Sequence, residues 1–507
     1  MTPWLLFSFV IGYFLLLLVV AYYTSRNSNN DSFFIGNRNS NWMLVAFGMI
    51  GTSLSGVTFV SVPGTVGGSA FAYFQVVIGY LIGYFLIAFI LLPLYYRLNL
   101  TSIYNYLQHR FGMVSYKTGA LFFIISRTLG ATARLYLVIN ILQIFILDNL
   151  GIPFWMTTLV ILFMIILYTF EGGVKTIVFT DTLQTSFMLL GLIVCIIYIM
   201  TNLGHSFFGT LNELRSLQLT KIFNTDINSP SHFLKHILGG AFITVAMTGL
   251  DQEMMQKNIS VKNLKDSQKN MMTFSTIMAL VNFLFLFLGG LLILFASKNG
   301  ISVPPDDLFP TAALHHMPTA VSIIFIIALI SALFPSADGA LTALTSSFCI
   351  DILGLKRNAE WGEEKKKRIR LTTHFSFAFI FFLVVMGFKL VDNKSIIDVI
   401  LKIAGFTYGP LLGLFAFGIL SKRSIRDRLS LVICLLAPTI ILGIDLINNI
   451  QWYQPQLNLD GAWVENIKSL SHAIFRDFKI GYELLIYNGL LTYAGLMLIS
   501  KKASPTN

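Results

Sequence analysis

Residues 42–66 read WMLVAFGMIGTSLSGVTFVSVPGTV, a hydrophobic segment that is interrupted in its own middle. Its ends are apolar enough for lipid, whereas the centre, Gly51 to Gly56, is small, polar and poorly helix-forming. Because an unpaired backbone carbonyl is costly in lipid, an interrupted helix survives only where it faces protein or a watery cavity. A break of this kind can offer bare carbonyl groups to a cation. The alternative is a kinked, glycine-rich helix packed against its neighbours.

The rest of the chain shares this apolar character. Of the 507 residues 55% are hydrophobic and only 12% are charged, about half the charged share of a typical soluble domain. We therefore predict an all-α polytopic membrane protein, embedded in a lipid bilayer and without a sizeable soluble domain. The net charge of +11 does not indicate nucleic-acid binding, because the basic residues lie in short loops. The predicted spans, about thirteen, are 3–24, 42–67, 72–96, 118–148, 154–170, 175–202, 232–254, 271–297, 319–353, 370–390, 396–421, 429–448 and 480–500.

The loop charges predict the orientation of these spans. Most lysines and arginines fall in alternate loops, among them the run 365–370 and the group after the seventh span that begins with Lys257. Because such charges stay on the cytoplasmic side, we expect the N-terminus outside and the C-terminus in the cytoplasm. No basic residue precedes the first span, which we expect to be retained as a membrane helix rather than cleaved as a signal peptide.

Motifs for catalysis or metal binding are missing from the sequence. No phosphate loop, nucleophile elbow or zinc-peptidase motif is present, so an enzyme is not predicted. His315 and His316 are adjacent and His232 and His236 share a helix face, but no carboxylate or cysteine near them completes a metal site. The three cysteines lie in or beside apolar segments and imply no disulfide framework.

Two of the acidic residues inside predicted spans stand out. Asp181 falls in the sixth span and Asp338 in the ninth. An intramembrane carboxylate costs about 2.5–3.5 kcal/mol on insertion scales and usually marks an ion or proton pathway. The alternative is pairing with Arg127 or Arg134, which lie seven residues apart on one face of the fourth span. Hydroxyl groups near Asp338 suit a hard cation such as sodium, but they also serve as ordinary contacts between membrane helices.

Five segments resemble the sodium:solute symporter family, which includes sodium–glucose, sodium–proline and sodium–sialic acid transporters. They are DSFFIGNRNSNWMLVAFGMIGTSLSGVTFVSVPG (31–64), YTFEGGVKTIVFTDTLQ (168–184), TGLDQEMMQKNISVKNLKDSQK (248–269), FPSADGALTALTSSFCIDIL (334–353) and YGPLLGLFAFGIL (408–420). Each is moderately specific alone, and in this order they are highly specific. The resemblance implies a LeuT-like inverted repeat of two five-helix units, each opening with a broken helix. The implied divisions are 1–41, an extra span and loop; 42–202 and 203–448, the two repeats; and 449–507, an outer loop and last span.

The same resemblance implies positions for sodium, the only cofactor we expect. In the family the main site uses carbonyls of the first broken helix, here Gly51 and Leu54, and a carbonyl and two hydroxyls of the eighth core helix. The latter positions match Ala332, Pro335 and Ser336, and Pro335 departs from the pattern because proline has no hydroxyl. Asp181 and Asp338 match a second sodium site.

For the solute, the resemblance points to residues facing a central cavity: Ser55, Thr58, Phe59, Gln75, Thr248 and Tyr408. Arg134 is a further candidate, because arginine binds carboxylates through two parallel hydrogen bonds. The alternative for most of these residues is packing between helices.

Together these observations predict a sodium-coupled symporter in the plasma membrane, monomeric and working by alternating access. Its solute would be a small organic molecule, namely a sugar, a sugar acid such as sialic acid, or an amino acid. The competing hypotheses are a proton-coupled transporter of the same fold, a channel, and a solute sensor. A channel usually needs a pore built by symmetric oligomers. A sensor would be expected to carry a cytoplasmic signalling domain.

Overall fold

The computed structural model describes residues 3–25, 40–100, 102–169, 173–355, 357–358, 360–390, 396–456, 459 and 461–501. Residues 31–39 and 170–172 of the quoted motifs lie outside this part of the chain. The helices before the middle of the chain are α1 Pro3–Ser25, α2 Trp42–Ser53, α3 Gly56–Ser69, α4 Tyr73–Arg97, α5 Asn105–Arg110, α6 Met113–Leu150, α7 Phe154–Thr169, α8 Gly173–Leu203, α9 Phe207–Ser216, α10 Phe233–Gly249 and α11 Gln252–Ile259. The remaining elements are α12 Leu264–Asn299, α13 Pro305–His315, α14 Thr319–Ile352, α15 Glu363–Lys389, α16 Ile396–Thr407, α17 Gly409–Leu420, β1 Ser424–Ile425, α18 Ser430–Asn448, α19 Ile450–Gln456, α20 Ala462–Phe475, α21 Leu484–Leu498 and β2 Ser500–Lys501.

The described apolar helices overlap the segments predicted from hydropathy. Eight described helices are long and apolar enough to cross a bilayer, and two shorter apolar helices are α7 and α21. Three further segments are pairs of helices that bend sharply at a short break: α2 and α3 by 58°, α10 and α11 by 65°, and α16 and α17 by 46°. The first two breaks are those implied by the family resemblance, whereas the third was not anticipated from the sequence.

The first break follows from the local backbone. Helix α2 ends at Ser53, Leu54 leaves helical geometry with φ −84° and ψ 83°, and Ser55 is extended with ψ 173° before α3 begins. The glycines on either side are needed for close packing. A Cβ atom at Gly51 would collide with the Thr185 hydroxyl group on α8, and one at Gly56 would collide with Val138 on α6. The broken helix is therefore held tightly against protein on both sides of its break, as a break in lipid requires.

The packing partners of the helices repeat along the chain. The broken helix α2–α3 packs on α12, and the broken helix α10–α11 packs through α10 on α4. Likewise α8 packs on α14, and α16–α17 packs on α6. Counted in spans, the contacts join spans 2 and 8, and likewise 7 and 3; they also join spans 6 and 9, and likewise 11 and 4. Each span is thus replaced by its counterpart five positions away in the other unit, which is the relationship expected between two five-helix units.

Smaller elements complete the fold outside these spans. Strands β1 and β2 pair antiparallel, with Ser424 opposite Lys501 and Ile425 opposite Ser500. The all-α prediction missed this short pair, because two-residue strands leave no periodic pattern in a sequence. The segment 203–231 contains α9, and the segment 449–479 contains α19 and α20.

Candidate functional site

A cavity of about 100 Å³ lies beside the first break. Helices α2 and α3 form one wall, and α4, α6, α10, α11, α12 and α16 form the others. Its lining combines hydroxyl groups, aromatic rings, apolar side chains and two guanidinium groups. The lining residues are Thr52, Ser53, Ser55, Val57, Thr58, Tyr73, Tyr80, Tyr84, Arg127, Arg134, Ile243, Thr244, Met247, Thr248, Met254, Met278, Asn282, Ile397, Ile400 and Leu401. A mixed apolar and polar wall with a few convergent polar groups is typical of a small-molecule site.

Four of the predicted solute residues line this cavity: Ser55, Thr58, Arg134 and Thr248. Tyr408 lies next to it, in a small cleft that also includes Arg127 and Arg134. Because helix α3 begins at Gly56, the side chains of Ser55 and Thr58 stand at the start of a helix, where backbone N–H groups lack helical partners. The first turn of α3 therefore brings both hydroxyl and N–H donors to the cavity.

Two predicted solute residues lie elsewhere. The ring of Phe59 is fully buried and packs against Phe285, Phe309 and Phe325. The side-chain amide of Gln75 is also buried. Its nitrogen donates to the carbonyl oxygens of Ala72 and Ser231, and its oxygen accepts from the backbone N–H of Asn224. Neither side chain lines the cavity, so the structure places both in packing positions, which was the alternative considered for them.

The two arginines of α6 have different surroundings. The guanidinium of Arg127 forms an ion pair with Glu253 and lies 3.9 Å from Oδ2 of Asp251. Arg134, about two helical turns further along α6, has no hydrogen-bond or ion-pair partner in the part of the chain that the structure describes. The possibility that either arginine pairs with Asp181 is wrong for the described structure, and Arg134 brings a guanidinium without a direct partner to the cavity, within electrostatic reach of Glu253 and Asp251.

The proposed sodium ligands lie on two helices that touch. Helix α2, which carries Gly51 and ends next to Leu54, packs directly on α14, which carries Ala332 and Ser336. The Ser336 hydroxyl lies 3.5 Å from the carbonyl oxygen of Ala332. Pro335 is accommodated inside α14 without ending the helix, but it cannot donate a backbone N–H to the carbonyl one turn earlier. The region therefore has a concentration of carbonyl and hydroxyl oxygens, the ligands that hard cations prefer.

Asp181 is fully buried and is paired with a lysine. Lys257 Nζ lies 2.7 Å from Oδ2 of Asp181, 2.5 Å from the Thr52 hydroxyl and 3.8 Å from Oε1 of Glu253. The Thr52 hydroxyl itself lies 3.2 Å from Oδ2 of Asp181. The prediction that Lys257 is a cytoplasmic loop charge is wrong, because its side chain is 3% exposed. The reason is that α11 is not a loop but the buried second half of a broken helix.

Asp338 belongs to the same buried region. Its Oδ2 accepts a 2.7 Å hydrogen bond from the hydroxyl of Tyr168, and its Oδ1 accepts one of 2.5 Å from the N–H of Gly339. A Cβ atom at Gly339 would collide with the carboxylate of Glu253, which brings α14 against α11. We call the resulting set the buried charge cluster; its members are Arg127, Asp181, Asp251, Glu253, Lys257 and Asp338.

Oxygen atoms in this region are left without partners. Oδ1 of Asp181 and Oγ1 of Thr342 are buried and have no hydrogen-bond partner among the described residues. Since buried polar atoms are nearly always satisfied, such atoms in a native structure need an explanation, for example an ion or a water molecule. Oδ1 of Asp181 and Oγ1 of Thr342 are therefore open to a further hydrogen-bond donor or cation.

Three members of the cluster escaped the sequence analysis: Asp251, Glu253 and Lys257. All residues of α11 are buried although the helix is polar. Hydropathy therefore assigned Lys257 to a loop, whereas Asp251 and Glu253 fell at the very end of the predicted span 232–254. Two local signals could have found it. Asp251 caps α11 by accepting from the N–H groups of Glu253 and Met254, and Glu253 and Lys257 lie four residues apart on one helix face.

The chain is similar in sequence to known sodium-coupled symporters. The family model described as the sodium:solute symporter family matches residues 33–427. The chain is 25% identical over 412 residues to the sodium/sialic acid symporter NanT of Aliivibrio fischeri, with 78% of each chain covered. It is also 25% identical over 410 residues to the sodium/sialic acid symporter SiaT of Proteus mirabilis, covering 78% of this chain and 80% of the relative.

A solved structure shares the fold. The substrate-bound, outward-open state of a Na⁺-coupled sialic acid symporter superimposes with a TM-score of 0.80 at 19% sequence identity. The match covers 98% of this chain and 99% of the other. At that identity the likeness shows a common LeuT-like architecture.

Proposed function

Because the chain belongs to the sodium:solute symporter family, we propose that it is a sodium-coupled symporter that imports a small carboxylate-bearing solute by alternating access. Members of this family are membrane transporters that use sodium, and they are not enzymes. The observation that carries the choice of solute is Arg134, an unpaired guanidinium in the wall of the central cavity.

The argument for a carboxylate is electrostatic. Arg134 is half-buried and makes no direct ion pair, and a bidentate carboxylate would supply a negative charge and two acceptors for its parallel N–H groups. Hydroxyl groups of Ser55, Thr58 and Thr248 share the cavity and suit the hydroxyl-bearing body of a sugar acid. The sialic acid named for two relatives is such a molecule. We propose these four residues as the solute contacts, with Tyr408 bordering them and with Phe59 and Gln75 supporting the surrounding helices.

For sodium we propose a main site formed by the carbonyls of Gly51 and Leu54 with Ala332 and Ser336. The contact between α2 and α14 supports this proposal, because it brings the end of the broken helix to those positions. We propose Asp181 and Asp338 as the carboxylates of a second cation position. Both are fully buried, which suits groups whose charge is meant to be balanced by a cation.

We further propose thirteen spans in the plasma membrane, with the N-terminus outside and the C-terminus in the cytoplasm, and activity as a monomer. The two inverted repeats would cover 42–202 and 203–448, flanked by 1–41 and 449–507. The five-span shift in helix packing supports the repeats. In this orientation, one charge moving inward gains about 2.3 kcal/mol per 100 mV, and a tenfold sodium gradient adds about 1.4 kcal/mol.

Uptake into proteoliposomes tests the function. Purified protein would be reconstituted, and uptake of labelled sialic acid, other sugar acids, a neutral sugar and an amino acid compared with and without an inward sodium gradient. We expect sodium-dependent, saturable uptake of an acid. If a proton gradient in sodium-free choline buffer drives uptake equally well, the coupling ion is the proton and not sodium. Non-saturable flux without counterflow would indicate a channel, and binding without flux a sensor.

A further inference from the structure

Lys257 contributes a positive charge where the proposed function expects a cation from solution. Its side chain comes from α11 and ends between Asp181 on α8 and Thr52 on α2. Thr52 directly follows Gly51, whose carbonyl belongs to the proposed main sodium site. The ammonium group therefore lies beside that site and is held by the carboxylate that is proposed for the second one.

The atoms around Nζ form the surroundings of a small cation. They are the Asp181 carboxylate at 2.7 Å, the Thr52 hydroxyl at 2.5 Å and the Glu253 carboxylate at 3.8 Å. A sodium ion seeks the same carboxylate and hydroxyl oxygens. Because the lysine nitrogen is bonded to Oδ2 of Asp181 and lies within the same group of oxygens, a sodium ion and the ammonium group cannot both occupy this position.

A purely structural ion pair would explain the contact less well. Buried ion pairs contribute little to stability, because desolvation of both charges offsets their attraction. This pair also lies in a cluster where carboxylates outnumber basic side chains and Oδ1 of Asp181 has no partner among the described residues. Such an environment attracts cations. The flexible four-carbon side chain of Lys257 lets its ammonium group act as such a cation.

We propose that the ammonium group of Lys257 is a tethered cation that takes the place of a sodium ion at Asp181. The chain would then bind one sodium ion, at Gly51, Leu54, Ala332 and Ser336, and its second cation position would be filled by its own side chain. This inference rests on the proposed function, since it specifies how many sodium ions that function uses.

Removing the ammonium group should reopen the second position. In Lys257→Met the side chain keeps its length and loses its charge, so Asp181 needs a new counter-ion. We expect the variant to bind two sodium ions per chain and to gain markedly more thermal stability from sodium than the wild type, because a ligand stabilises the folded state that binds it. Lys257→Arg keeps the positive charge and is the matched control, with an expected count of one.

Equilibrium binding of ²²Na⁺ to the purified full chain, in a choline chloride background, measures these counts directly. One ion per wild-type chain and two per Lys257→Met chain support the inference. Two ions per wild-type chain contradict it, and so does a folded Lys257→Met that still binds one. No sodium binding by the wild type would instead refute the proposed function.

A second variant keeps the test decisive if Lys257→Met does not fold. Asp181→Asn removes the carboxylate in a chain that retains Lys257. If Lys257 already fills this position, the count stays at one and the sodium affinity changes less than that of Ser336→Ala. Loss of the single bound ion in Asp181→Asn would show that Asp181 holds sodium itself and would overturn the inference.

Discussion

The hydroxyl group of Tyr408 donates a 2.8 Å hydrogen bond to Oδ2 of Asp251, and each residue lies at the break of a different broken helix. Tyr408 separates α16 from α17, whereas Asp251 separates α10 from α11 and caps α11. The bond therefore ties two bends together at the edge of the solute cavity. A transporter that alternates between states must move such elements in concert.

Replacing Tyr408 by phenylalanine tests this connection. Because hydrogen bonds to charged groups contribute about 1.5–3 kcal/mol, we expect Tyr408→Phe to lower the thermal stability of the purified protein and to slow uptake. Sodium binding should persist, since Tyr408 is not among the proposed sodium ligands. Tyr198→Phe is the control, because within the described residues the Tyr198 hydroxyl has no hydrogen-bond partner. Equal melting temperatures for both variants would show that the bond has no such role.

We expect Arg134 to affect solute affinity but not sodium affinity. Loss of a charge-assisted bidentate contact costs about 1.5–3 kcal/mol, so Arg134→Ala should weaken binding of an acidic solute by about 10- to 150-fold. Arg134→Lys should recover part of this loss, because lysine retains the charge but not the two parallel donors. Calorimetric titration would measure solute affinity, and ²²Na⁺ binding without solute should be unchanged. A solute that binds Arg134→Ala as tightly as wild type would exclude this anchor.

Pro335 should limit sodium affinity. Pro335→Ser supplies the hydroxyl group that the family pattern has at this position, and we expect it to tighten sodium binding by about tenfold, or about 1.4 kcal/mol. Pro335→Ala is the matched control, because it restores the backbone N–H without adding a ligand. If both variants bind sodium equally, the change comes from the helix backbone and the hydroxyl prediction is wrong.

Gly51 should tolerate no side chain. A Cβ atom there would collide with the Thr185 hydroxyl, and overpacking of this kind costs about 1–3 kcal/mol. We expect Gly51→Ala to lower the melting temperature and to weaken sodium binding, because the shift moves a proposed carbonyl ligand. A Cβ atom at Gly12 would meet no heavy atom within 4 Å, so Gly12→Ala should leave both properties unchanged. Normal sodium affinity in Gly51→Ala would argue against its carbonyl as a ligand.

The spans and the first break could be predicted from sequence because their causes are local. Apolar length sets where a helix can cross a bilayer, and the small polar residues from Gly51 to Gly56 weaken one helix in its middle. The break near Tyr408 was missed because residues 396–421 are apolar enough to read as one span, although the Gly409–Pro410 pair is a helix-start signal within it. The solute face was only partly predicted, since periodicity shows which residues share a face but not which neighbour that face meets.

The sequence by itself determined the class, the family, the positions of the spans and the acidic residues within them, since hydropathy and motif order depend on residues close together in the chain. Only the tertiary structure decided which charges pair. It buried Lys257 against Asp181, joined Arg127 to Glu253 and left Arg134 facing the cavity. Ion pairing depends on distances between helices far apart in sequence, and a polar segment such as α11 looks the same in a loop as in a buried half-helix until its neighbours are known.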